Sequence, residues 1–266
     1  MRAAFIPVAC VAFLTCDPAP RAPVDSVGGH PPFDPPVAEP YVAPVSTAAL
    51  GPFWQQIESG RAVPILRNDA PNVHYARLDQ ASCEAELERR HVPFIRGEPT
   101  AGVLAPVRLR GPLSGVSIHS LLAPAERERA KMEIFDCRLV LALDDFSAMV
   151  RKRGVVEMIH LSAYRSRAQF GCTPKYDGKQ HCGALAVDLA TFKRADGSVL
   201  SVEHDFHGRI GLSTCIGPRP NELWSIVCDA ADRAIFNVIL TPNFNAQHFN
   251  HIHVEVTPDA GWMLVH

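Results

Sequence analysis

Residues 246–256 read AQHFNHIHVEV and set His248, His251 and His253 ahead of a β-branched run. As a strand, HIHVEV sends side chains two apart to the same face: His251, His253 and Glu255 to one side, Ile252 and Val254 to the other. A strand needs partners, and the sequence upstream supplies them. VVEMIHLSAY (155–164) and GALAVDLATF (183–192) carry strand-type content, and the turn RADGS (194–198) joins the latter to SVLSVEH (198–204). Helical patterning falls earlier, over SCEAELERR (82–90) and DCRLVLALDDFSAMVRKRG (136–154), with Gly154 as the stop, and again over NELWSIVCDAADRAIF (221–236). Helices on the N-terminal side, followed by a mostly antiparallel sheet with one helix inserted, predict an α+β domain over residues 51–266.

The same strands bring chemistry. His181 stands seven residues before Asp188 in HCGALAVDL, where the small Gly183, Ala184 and Ala186 let the backbone pack closely against neighbours. A His-x-His strand alone is a common surface or packing pattern, and a lone strand aspartate can be a hydrogen-bonded turn residue. Together they read differently, because an unpaired carboxylate inside ALAVDLATF would pay a heavy desolvation cost. If the two segments pair, His181, Asp188 and His253 offer two nitrogens and an oxygen to a tetrahedral Zn²⁺, with the fourth position open to water. His204 and His207 in VEHDFHG have no strand carboxylate nearby and read as solvated loop residues.

The formal charge of −2, with no basic stripe, argues against nucleic acid as a partner. Residues 1–16, MRAAFIPVACVAFLTC, have one arginine and an apolar run too short to span a bilayer, the pattern of a secretory signal. Phe13–Cys16 resembles a relaxed lipobox, so the expectations are a lipidated Cys16 with membrane anchoring, or plain secretion. Residues 17–50, proline-rich and poor in core formers, should be an extended tether. Of eight cysteines, two lie in the leader; the remaining six, an even number in an exported chain, suggest disulfides. Order alone cannot choose the connectivity; the preferred set is Cys83–Cys137, Cys172–Cys182 and Cys215–Cys228. A zinc–thiolate cluster ranks below it, since no pair has zinc-ribbon spacing.

The stretches HCGALAVDLATFKRADGSVLSV, VCDAADRAIFNVILTPNFNAQHFNHIHVEV, DCRLVLALDDFSAMV and LSAYRSR resemble the bacterial extensin-like C-terminal domain, over roughly Cys83 to Glu255. That domain is similar in turn to zinc D-alanyl-D-alanine carboxypeptidases and to penicillin-insensitive murein endopeptidase. The resemblance implies His181, Asp188 and His253 as zinc ligands, His251 as general base, and Arg165 or Arg167 steadying a substrate carbonyl oxygen. His248 and Tyr164, beside these motifs, are candidates for substrate-binding or ligand-orienting positions, and Glu255, on the same strand face as the histidines, either orients one of them or is an exposed strand-end charge. The carboxypeptidase branch carries a glutamate where this chain has Asn250, which points to the endopeptidase branch. The function implied is an exported, zinc-dependent hydrolase of peptidoglycan peptides in the cell envelope. The alternative is a non-catalytic wall-binding module of the same fold, zinc-stabilised or metal-free. Closing the Cys172–Cys182 loop would fix the approach of His181.

Overall fold

The computed structural model describes residues 63–64, 69–168 and 172–266. The expected leader, the tether and Cys16 lie outside the described residues. In chain order the elements are β1 (Val63–Pro64), α1 (Pro71–Ala76), α2 (Gln80–Arg89), β2 (Phe94–Arg96), β3 (Pro106–Leu109), β4 (Ser117–Ser120), α3 (Pro124–Arg127), β5 (Phe135–Asp136) and α4 (Cys137–Arg151). There follow β6 (Val155–His160), β7 (Ala186–Arg194), β8 (Val199–Ser201), α5 (Val202–Asp205), α6 (Glu222–Asp232), β9 (Val238–Leu240), β10 (Ile252–Glu255) and β11 (Trp262–Val265). Single 3₁₀ turns at Lys131–Glu133, Gln180–Gly183 and Ala246–His248 matter below.

Helix α4 is the hub. The side chain of Asp136 caps its N-terminus by accepting from the Arg138 amide, and nearly every residue from Cys137 to Val150 is buried. An apolar helix of this kind must be enclosed, and α1, α2 and α6 pack against it. Asn221 caps α6 in the same way, accepting from the Trp224 amide. The core continues from these helices onto one face of the large sheet, through Val155 and Met158 of β6, Val187 and Leu189 of β7, and Ile252 and Val254 of β10. Alternation then sends Asp188, His253 and Glu255 to the opposite face.

The large sheet runs β1-β11-β9-β10-β7-β6-β4, with β8 also on β7. It is mixed, which corrects the expectation of a mostly antiparallel sheet: β4 runs parallel to β6, and β11 parallel to β9. The first pairing has a simple cause, because α4 lies between β4 and β6 in the chain and a helical crossover returns the second strand in the same direction. HIHVEV does not close the set either, since β11 follows it and slots between β1 and β9. A second sheet, β2-β3-β5, was not foreseen; its strands are two to four residues long, too short for a period-2 pattern to register. The fold is a mixed α/β domain with strands interleaved among the early helices.

All three expected disulfides are present: Cys83–Cys137, Cys172–Cys182 and Cys215–Cys228. The first ties α2 to the start of α4, the last ties the preceding loop to α6, and the middle one closes the loop that carries His181.

Candidate metal centre

Strands β7 and β10 pair antiparallel with His253 directly opposite Asp188 and Glu255 opposite Ala186. Directly opposed residues share a face, so the sheet itself sets imidazole beside carboxylate. His181 arrives from outside the sheet, on the 3₁₀ turn Gln180–Gly183. That turn lies against Gly178 so tightly that a Cβ at Gly183 would stand 2.6 Å from the Gly178 carbonyl carbon. The chain then escapes through Ala184 in the left-handed region, at φ 53°.

Three atoms converge. His181 Nε2 is 3.1 Å from Asp188 Oδ1, His253 Nδ1 is 3.0 Å from the same oxygen, and the two nitrogens are 3.2 Å apart. The outer ring atoms decide what these inner atoms are. His181 Nδ1 donates to the Ala163 carbonyl at 2.7 Å, and His253 Nε2 faces the Glu255 carboxylate at 3.6 Å. A neutral His181, its Nδ1 donating to a carbonyl, therefore turns an unprotonated Nε2 inward, while His253 Nδ1 lies within donating distance of Asp188 Oδ1. Two ring nitrogens and a carboxylate oxygen this close can be bridged either by a proton on His253 or by a bound cation. Tetrahedral zinc with N and O ligands at ordinary bond lengths separates its ligand atoms by ~3.3 Å, close to the spacing here. Among the described residues these three form a group that could hold a metal ion.

The electrostatics agree. Asp188 is 1% exposed, and burial opposes its charge, yet His181 and His253 hold its carboxyl well below the usual range. Burial pushes the His181 pKa down. Burial also works against charge on His253, but its bonds to Asp188 and Glu255 outweigh this and raise it to about 9. The carboxylate thus stays ionised, and the positive charge that answers it rests on His253.

Around the triad, His251 donates from Nδ1 to the Asn250 side-chain oxygen at 2.9 Å and turns Nε2 toward Asp188 Oδ1 at 3.4 Å. Burial lowers its pKa to about 4, so the ring is neutral and can accept a proton. His248, lowered by burial to about 3, donates from Nδ1 to Asn245 Oδ1 at 2.7 Å, and its ring lies 5.0 Å from that of His251. Glu255 is buried rather than an exposed strand end, and it accepts from the Thr257 hydroxyl at 2.8 Å.

The two arginines part company. Arg165 bonds Asp188 Oδ2 through Nη2 and Ser162 Oγ through Nε. Arg167 points outward to Asp177 on the loop and has no place at the cluster. Tyr164 also leaves the site: its hydroxyl donates to the Ala101 carbonyl at 3.1 Å, and its ring packs with Ile134 and Ala184. His204 is exposed as expected, though on the short helix α5 rather than a loop. Ser162, which donates to Asp188 Oδ2 at 3.2 Å, and the Ala163 carbonyl were missed. A backbone carbonyl leaves no mark in a sequence, and the only sign of Ser162 was its place just before AYR.

Fold and site together define a disulfide-stapled α/β domain with a buried histidine–carboxylate cluster. Residues 77–265 match the family described as extensin-like protein C-terminus, and the chain belongs to that family. No curated protein and no solved structure matches it.

Proposed function

We propose that His181, Asp188 and His253 bind zinc, and that the chain is an exported zinc-dependent amide hydrolase acting on peptidoglycan peptides. The observation that carries this is the inward convergence of two ring nitrogens and one carboxylate oxygen within 3.2 Å of one another. Bound zinc supplies Lewis acidity, polarising an amide carbonyl and bringing the pKa of water toward neutrality. His251 accepts a proton at Nε2, because Asn250 keeps its own proton on Nδ1. Asp188 is held by Ser162 and Arg165, and Glu255 orients His253 from behind. A leader ending at Cys16, lipidated or simply cleaved, belongs to the same proposal, and so does a place in the cell envelope.

One observation favours the second reading, a non-catalytic wall-binding module. Arg165, assigned to a substrate carbonyl by family resemblance, is engaged by Asp188 and Ser162, and Arg167 is turned away. The experiment is metal analysis of the purified protein, together with muropeptide release from peptidoglycan at neutral pH, with and without chelator. Zinc should be stoichiometric in wild type and lost with activity in His253→Ala. His251→Ala should keep zinc and lose turnover by on the order of 10²- to 10⁴-fold. Stoichiometric zinc without any released muropeptide would favour the binding module, and no zinc in wild type would overturn the metal assignment.

A further inference from the structure

The segment leaving β6 is gripped from both sides. Toward the cluster, the Leu161 amide donates to the Asp188 carbonyl at 2.9 Å, the Asp188 amide donates to the Ser162 carbonyl at 3.1 Å, and the Ala163 carbonyl receives His181 Nδ1. A register shift between Ile159 and His160 against β7 re-aims the chain just before these contacts. On the other side stands the 3₁₀ turn Lys131–Glu133. Its Met132 carbonyl accepts from the Ala163 amide at 3.2 Å, and Glu133 Oε2 faces His160 Nε2 at 3.3 Å. Glu133 Oε1 also accepts from the amide of Ser120, the residue paired with His160 across β4 and β6. The His160 ring is fully enclosed, edge-on to Phe135, and its Nδ1 has no partner among the described residues.

An enclosed carboxylate–imidazole pair is a poor way to gain stability, since apolar side chains of like volume usually do as well or better. It is a good way to fix geometry, because the bond has one arrangement. We infer that Glu133 and His160 are positioning residues: their contact fixes residues 161–163 so that the Ala163 carbonyl holds His181 in the tautomer that turns an unprotonated Nε2 to the cluster. Neither residue touches the cluster, and the effect runs through the backbone of residues 161–163. Only the zinc arm of the test rests on the metal reading above.

The test uses the full chain, ¹⁵N-labelled at histidine and stripped of metal, with ring-nitrogen NMR reporting the His181 tautomer. Wild type should show one locked Nδ1–H form. Glu133→Ala should lose that locked signal. Glu133→Gln should keep it, because the amide oxygen still accepts from the Ser120 N–H and the amide NH2 can donate to a neutral His160 at Nε2. Phe146→Leu, a remote core change between Phe192 and Phe236, should lower Tm and leave the signal intact. Should Glu133→Ala not fold, His160→Phe, which fills the space beside Phe135, should lose the lock in its place. An unchanged His181 signal in the clasp variants, or equal loss in Phe146→Leu, overturns the inference. In the second arm, zinc titration should show about 10- to 100-fold weaker binding for Glu133→Ala, with rescue in Glu133→Gln. If wild type takes no zinc, the metal reading falls while the NMR arm still decides the positioning role.

Discussion

The Glu255 carboxylate stands 3.6 Å behind His253 Nε2, on the same strand face and buried with it. The alternation that puts His253 beside Asp188 therefore also puts an acid at its back, so that Nε2 faces Glu255 and Nδ1 faces the cluster. Glu255→Gln keeps the shape and the Thr257 contact but weakens that polarisation. Zinc affinity, measured by competition with a chromophoric chelator, should fall about 10- to 100-fold. An unchanged affinity would mean that Glu255 only fills space.

Arg165 and Arg167 are two residues apart, yet the structure predicts opposite outcomes for their removal. Arg165→Met takes a donor from Asp188 and from Ser162, so the carboxylate loses its fixed orientation and zinc should be held less tightly. Arg167→Met removes an exposed ion pair with Asp177, worth about 0–1 kcal/mol. Its Tm and zinc content should match wild type. Equal effects in the two variants would contradict the division of labour between them.

This pair also marks where the sequence stops being legible. Alternation in HIHVEV and the acid inside ALAVDLATF marked His253 and Asp188 as partners should the two segments pair, because strand periodicity and desolvation cost are local properties, and the sheet supplies that pairing. Which arginine turns inward depends on Ser162 and on the path of the chain after β6, and two adjacent positive charges give no hint of either. Tyr164 failed for the same reason, its partner Ala101 being distant in the chain. SVLSVEH departs from a strand at Ser201, where the Ser201 amide donates to Asp205 at 2.7 Å and a helical turn takes over. The parallel β4–β6 pairing was hidden because SIHS is four residues long and its partner lies beyond α4.

The Cys172–Cys182 bridge ends one residue from His181, and its ends are 10 residues apart in sequence. Replacing both cysteines by alanine should cost about 2–3 kcal/mol through the freed loop. It should also weaken zinc retention more than loss of Cys83–Cys137 or Cys215–Cys228, neither of which touches the cluster. Mass spectrometry after alkylation without reduction should find none of these six cysteines modified. Equal zinc retention in all three double variants would make the bridge a general staple only.

Glu133 gives the protein an acid sensitivity whose sign follows from its surroundings. Burial works to raise its pKa, but His160 and the Ser120 amide outweigh it and hold the carboxyl at about 2, against 4.5 for a free glutamate. The unfolded chain therefore takes up this proton more readily than the folded one. The stabilisation is fully present above about pH 4.5 and is lost as pH falls toward 2. At 1.36 kcal/mol per pKa unit, the full contribution is about 3 kcal/mol. Urea unfolding in the presence of chelator, at pH 7 and at pH 3, isolates it by comparison with Glu133→Gln, which cannot titrate. Wild type should lose more stability than the variant between the two pH values, by on the order of 1–2 kcal/mol. Parallel losses in the two proteins would show that the Glu133–His160 contact is no stronger in the folded state than solvation is in the unfolded one.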